Sequence, residues 1–178
     1  FKQIKECERL AERDRITKGA DLRLKDYDPS ATGDVKDKQH GQKIIDNRVG
    51  LLSNLQEKLY AQDRWALLLI FQGMDTAGKD GVIKHVMSGV NPQGCQVYSF
   101  KHPGPEALAH DFLWNATCRL PERGQIGIFN RSYYEEVLIL RVHPEILQGE
   151  NVPHPDKSSL WEHRYRSMVD LERHLHYN

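Results

Sequence analysis

Cysteine is scarce in this sequence, and the three residues present, Cys7, Cys95 and Cys118, are scattered, odd in number and never set as C-x-x-C. That argues against a disulfide framework and against a structural zinc site, and it suits a reducing, cytoplasmic compartment. Net charge of either sign is also missing, because 25 Lys and Arg balance 25 Asp and Glu. Without a global positive field there is no basis for non-specific nucleic-acid binding, so a polyanionic substrate has to be held by a local group of cations. Long apolar runs are lacking as well: nothing approaches the roughly 18 residues of a membrane span, and the charged N-terminus carries no apolar signal segment. Neither a membrane nor an export route is expected.

The 178 residues suit one sizeable core, since a chain of this size can remove about 70% of its unfolded surface from water. The chain opens on Phe1 instead of Met and stops after a helical run at Asn178, which reads as part of a longer gene product. Residues 1–37 are dense in charge and then rich in turn formers, from Asp28-Pro29-Ser30 to Thr32-Gly33-Asp34. They are expected to form an arm with little core of its own. The second region, 38–178, begins with Ile45, Val49, Leu52, Leu55 and Leu59 at helical spacing. This predicts an amphipathic helix over 38–62, packed on the core or serving an interface between identical subunits.

Trp65 to Phe71 is apolar on both faces and too short for a typical helix, which predicts a central parallel strand. A Gly-bearing loop follows, then a helix over Gly81–Met87 ending near Asn91-Pro92. The order repeats with a strand at Cys95–Phe100, a helix over Pro105–Leu120 and a third strand at Gln125–Phe129. A helix over Tyr133–Val142, a loop over His143–Asp156 and a long helix from Ser158 to about His176 complete the chain. Strands alternating with helices imply an α/β fold with a parallel sheet flanked by helices.

Gly73-Met74-Asp75-Thr76-Ala77-Gly78-Lys79 fits G-x-x-x-x-G-K, the phosphate loop, and it lies between a strand and a helix as its mechanism requires. Small residues let successive backbone N–H groups turn inward onto phosphate oxygens, and Lys79 sets a positive charge against the transferred group. The residue after Lys79 is Asp80, where Ser or Thr usually reaches Mg²⁺. Another oxygen is then needed for the metal. Asp75 is a candidate, since a carboxylate beside bound phosphates is repelled unless a cation lies between them; the alternative is a helix cap. For Asp80, a dipole-favoured place in the first helical turn accounts for the residue.

Asn130-Arg131-Ser132-Tyr133-Tyr134-Glu135-Glu136 leaves the third strand at the carboxyl end, where open parallel sheets bind ligands. Arg131 offers permanently charged planar donors for phosphate, while Asn130 and Glu135 offer oxygens to a metal. Against this stands a capping box, with Ser132 as cap and Glu135 three residues on. Lys84, Lys101, Arg119 and Arg123 are candidate cations for a phosphate chain, each individually no more than a surface charge. His102 reads as a turn residue, and His143, His154, His163, His174 and His176 lack H-E-x-x-H spacing.

Phe71-Gln72-Gly73-Met74-Asp75-Thr76-Ala77-Gly78-Lys79-Asp80-Gly81, Val90-Asn91-Pro92-Gln93-Gly94 and Ile128-Phe129-Asn130-Arg131-Ser132-Tyr133-Tyr134-Glu135 together resemble the second polyphosphate kinase family. The resemblance covers about Gly41 to Asn178 and implies a P-loop kinase core. It further implies Mg²⁺-dependent (or Mn²⁺-dependent) phosphoryl transfer between inorganic polyphosphate and adenine or guanine nucleotides. In it, Asp75 is the loop aspartate, Lys79 the loop lysine and Arg131 the arginine after the third strand. Many members carry Asp where this chain has Asn130; the Asn form, with Glu135 after it, resembles the subgroup that accepts AMP as well as ADP. Members also continue past the position of Asn178 with a further strand and an arginine-bearing helical lid. The rival expectations are an ATP-dependent nucleotide or small-molecule kinase, separated by its donor, and a non-catalytic nucleotide-binding module, separated by binding without turnover.

Overall fold

The structure is a computed structural model that describes residues 2–147, 149, 152 and 157–178. Part of the loop expected over 143–156, His154 included, lies outside the described residues.

The chain divides into two units, Phe1–Gly41 and Gln42–Asn178. The first holds helix α1, Lys2–Arg13, and two 3-10 turns at Gly19–Asp21 and Leu24–Asp26. Its residues are mostly exposed, and polar contacts take the place of a core: Arg9 pairs with Asp34 at 2.6 Å, and Asp28 Oδ1 accepts from the Ser30 backbone at 2.9 Å. Helix α2, Lys38–Gln62, crosses the boundary and has the bounds expected for it.

In the second unit, the buried stripe of α2 departs from the sequence pattern. Val49, Leu52 and Leu59 are half-buried, but Ile45 and Leu55 are exposed, and the side chain enclosed deepest is Gln56. Gln56 enters because Gly94 offers no side chain against it; a Cβ there would stand 1.6 Å from Gln56 Nε2. Periodicity marks a helical face, but the partner surface decides which of two adjacent positions is enclosed.

Strands β1 (Leu67–Phe71), β2 (Cys95–Ser99) and β3 (Ile126–Asn130) form one parallel sheet in the order β1-β3-β2. Among the described residues the first strand is therefore not the middle one, contrary to the expectation that it is central. β3 takes that place and every residue of it is buried, whereas Leu67 on β1 is exposed. Ile128 and Phe129 are fully enclosed, worth about 1.5–3 kcal/mol each. Gly127, just before them, meets the Pro121 ring, where an added Cβ would lie 2.9 Å away. Phe129 packs among Ala116, Tyr133, Val137 and Met168 on one face, and Ile126 and Ile128 pack with Ile83 on the other.

Helix α3, Lys79–Met87, follows β1, and α6 (Glu135–Val142), α7 (Pro144–Leu147) and α8 (Lys157–Tyr177) follow β3. The helix expected over Pro105–Leu120 is broken into α4, Pro105–Leu108, and α5, Trp114–Thr117. His110 Nδ1 donates to the Glu106 carbonyl at 2.7 Å, taking the acceptor that a continuing helix would use. The Asp111 side chain then accepts from Leu113 N at 2.9 Å and starts a new turn.

Candidate active site

Parallel pairing sets Phe71 opposite Asn130, so the loop after β1 and the segment after β3 leave the sheet side by side. The ladder runs one step further, with Arg131 N donating to the Phe71 carbonyl at 3.0 Å. Beyond it, four side-chain contacts join the two exits: Gln72 Nε2 to Glu135 Oε1 at 2.5 Å, Ser132 Oγ to Gln72 Oε1 at 3.3 Å, Asn130 Nδ2 to Asp80 Oδ1 at 2.5 Å, and a short ion pair between Arg131 and Asp75.

The loop curls as the motif requires. Gly78 adopts φ +87 and caps α3, and Ala77 N donates to the Met74 carbonyl at 3.2 Å. Met74 is exposed, and Thr76 holds φ +65. Arg131 holds φ +62. Left-handed backbone costs a non-glycine residue about 1–2 kcal/mol, and such strain gathers where surrounding structure over-determines a functional turn. Lys79 Nζ donates to the Gly73 and Met74 carbonyls, both at 2.7 Å. An ammonium has three N–H groups, so one more can go to a phosphate oxygen.

Two cavities meet at these exits. The smaller, about 490 Å³, is lined by Thr76, Gly78, Lys79, Asp80, Ser99 and Asn130. The larger, about 1070 Å³, runs past Ser132, Glu135, Glu136, Phe112 and Arg164. Asp75, Phe100, Lys101, His102 and Arg131 line both. Lys101 and His102 arrive there because β2 pairs with the other side of β3, with Phe100 N donating to the Asn130 carbonyl at 3.0 Å.

Several sequence expectations are redistributed by this geometry. Ser132 and Glu135 do not form a capping box: the Ser132 hydroxyl accepts from Tyr134 N at 3.2 Å, and Glu135 turns to Gln72. Asp80 stands in the first turn of α3 as expected, but its carboxylate also engages Asn130. Among the cations, Lys101 reaches the cavities. Lys84 is exposed in the last turn of α3, and Arg119 donates to the Asn115 carbonyl at 2.9 Å beside the Tyr98 ring. Arg123 lies at the opposite end of the sheet, donating to the Arg64 carbonyl at 2.9 Å; five strand residues, about 16 Å, separate that end from the loop.

Residues to which the sequence assigned no role complete the surroundings. Tyr133 and Tyr134 both donate to Glu172 Oε1 on α8, at 3.1 and 2.5 Å. Burial and the Glu172 carboxylate hold the Tyr133 phenol well above its ordinary range, and burial with the Glu172 hydrogen bond pushes Tyr134 up to about 12. Arg164, almost fully buried, donates to the Glu136 carbonyl at 2.8 Å and lies 4.8 Å from the Phe112 ring.

Among the described residues, no group of three or more His, Cys, Asp or Glu is gathered as a metal cluster. Mg²⁺ does not require one, since one or two carboxylates and substrate phosphates commonly hold it. The smaller cavity offers two carboxylates, Asp75 and Asp80, with the Asn130 amide oxygen, so the donor set fits a hard divalent ion. Glu135 faces the larger cavity and stands apart from that set.

The profile of the family described as Polyphosphate kinase 2 (PPK2) matches residues 35–178. The chain belongs to the polyphosphate kinase 2 family. Relatives within reach include the ADP-polyphosphate phosphotransferase of Rhodopseudomonas palustris, 55% identical over 92% of this chain and 57% of that protein. The AMP/ADP-polyphosphate phosphotransferase of Meiothermus ruber is 37% identical over 90% of this chain and 57% of that protein. The crystal structure of polyphosphate kinase 2 from Arthrobacter aurescens TC1 superimposes with a TM-score of 0.81 at 38% identity, covering 94% of this chain and 56% of that one. The chain thus spans a little over half the length of these members of the polyphosphate kinase 2 family, and it shares their α/β core with a parallel sheet flanked by helices.

Proposed function

We propose that the protein carrying this chain transfers a terminal phosphoryl group from inorganic polyphosphate to ADP and AMP, reversibly. The observation that supports this most is that the two cavities meet where the phosphate loop and Arg131 are joined. One cavity holds donor phosphates against the loop; the other admits an acceptor.

A terminal phosphate oxygen of the nucleotide attacks the end phosphorus of polyphosphate as the anhydride bond behind it breaks, leaving the chain one unit shorter. That oxygen is already an anion, so no protein nucleophile is needed, and positioning with charge neutralisation carries the catalysis. Loop amides orient the donor, while Lys79 and Arg131 neutralise the equatorial oxygens. Asp75 fixes Arg131 toward the shared space, and Lys101 adds charge from the β2 side. Asp75 and Asp80, with Asn130, would hold Mg²⁺ or Mn²⁺; bound there, the ion would offset the charge of facing phosphates.

The test incubates the complete protein with ADP or AMP, polyphosphate and Mg²⁺ in the absence of ATP. Formation of ATP or ADP is expected. Strict dependence on an ATP donor would favour an ordinary nucleotide kinase, and tight binding without turnover a regulatory module.

Two properties accompany this reading. Ile45, Leu55 and Tyr60 are exposed on α2, an apolar face suited to pairing with a second copy, and sedimentation velocity would detect the oligomer. The three cysteines are unpaired and no helix among the described residues is long and apolar enough to cross a membrane, both in keeping with a cytoplasmic enzyme.

A further inference from the structure

We propose that Gln72 is a positioning residue for the transfer, holding the Glu135 carboxylate at the wall of the larger cavity; the proposal rests on the phosphotransferase reading above. Gln72 follows β1 directly and lines neither cavity, so any effect on the reaction passes through another residue. Its amide is used at both ends. Nε2 donates to Glu135 Oε1 at 2.5 Å, and Oε1 accepts from Ser132 Oγ at 3.3 Å. Because a carboxylate only accepts, the amide nitrogen has to face Glu135, and the amide oxygen is left for the hydroxyl. Ser132, itself buried, in turn accepts the Tyr134 backbone N–H at 3.2 Å.

One side chain at the root of the phosphate loop therefore reaches the first residue of α6, and its contact with Ser132 fixes which end of the amide faces Glu135. The hydrogen bond to the carboxylate is charge-assisted and stronger than a neutral one. Glu135 has a long side chain with several free torsions, and without that bond its carboxylate would sweep the cavity wall. Methionine at position 72 keeps the shape and makes neither bond. Glutamate keeps the shape but sets two carboxylates face to face, which disfavours ionisation of one of them.

Steady-state kinetics on the complete protein and on Gln72→Met, Glu135→Ala and the double variant test the proposal. Gln72→Met is expected to lower kcat at least about tenfold while nucleotide KM stays within about threefold, as loss of alignment at intact binding predicts. The double variant is expected to be no slower than Glu135→Ala to within about twofold, since Gln72 acts through a group already removed. Gln72→Glu is expected to be slow near about pH 8 and to regain activity toward about pH 6, where one carboxyl takes a proton and the bond returns. A Gln72→Met kcat within about twofold of the parent, or losses that multiply in the double variant, would overturn the assignment. If Gln72→Met does not fold, the Gln72→Glu profile decides, and no regain at lower pH rejects the role. The series is run with whichever donor the parent enzyme uses, so a parent that needs ATP would reject the polyphosphate reading while leaving Gln72 to be judged separately.

Discussion

Phe71 and Asn130 are register partners on neighbouring parallel strands, and the site follows from that pairing. Each strand hands its next residues to the same edge, so Asp75 and Arg131 meet although 56 positions separate them. Arg131 is half-buried, but 81% of the Asp75 side chain is accessible, and an ion pair with so exposed a partner contributes little to stability. Asp75→Asn is therefore expected to shift Tm by less than about 3 °C. The same change should lower kcat about 10²-fold. Calorimetry beside steady-state kinetics separates the two effects, and a large loss of stability would mean that Asp75 serves the fold.

Lys79 sits on two loop carbonyls with its chain running past Gly73. In the proposed mechanism its charge faces the transferred group, and loss of one such donor costs about 10²–10³ in rate. Lys79→Ala should show at least that loss in the ADP-to-ATP assay. Activity within about threefold of the parent would remove Lys79 from the mechanism.

Glu172 serves two phenols, and the sign of the pH dependence follows. Both tyrosines are harder to ionise in the folded protein than at their ordinary 10.0. Their contribution is fully present below pH 10 and is lost as pH rises through 10 toward the value of about 12 for Tyr134. Thermal melts across that range should show falling stability, and Tyr133→Phe with Tyr134→Phe should flatten the fall. An unchanged alkaline slope in the double variant would locate the pH sensitivity elsewhere.

Gly127 lies in the buried central strand against the Pro121 ring. A methyl group there has a rigid ring to displace, and overpacking of this kind costs about 1–3 kcal/mol. Gly127→Ala should lower the urea midpoint accordingly without changing the slope of the transition. No measurable shift would indicate that the Pro121 segment yields freely.

Much of the fold could be read from local pattern. Helix α2 has the bounds its apolar spacing implied, and each strand lies within about two residues of the run that announced it. Failures came where a non-local choice intervened. The apolar run of β1 shows that both its faces are covered, but being covered does not say which strand stands in the middle. His110 and Asp111 interrupt a helix-compatible stretch because their side chains compete for backbone partners, and composition does not reveal which competitor wins.

The site divides along the same line. Residue type and spacing alone determined the chemistry on offer: a glycine-flanked curl of amides, a lysine beside it, carboxylates without the usual hydroxyl, and an arginine leaving a buried strand. Those depend on covalent identity and on contacts a few residues long. Tertiary structure alone decided who meets whom: Gln72 with Glu135, Asp80 with Asn130, both tyrosines with Glu172, Lys101 at the shared wall and Arg123 far from it. Such pairings depend on strand order and register, which arise from packing of the whole sheet, and no stretch of sequence carries that information by itself.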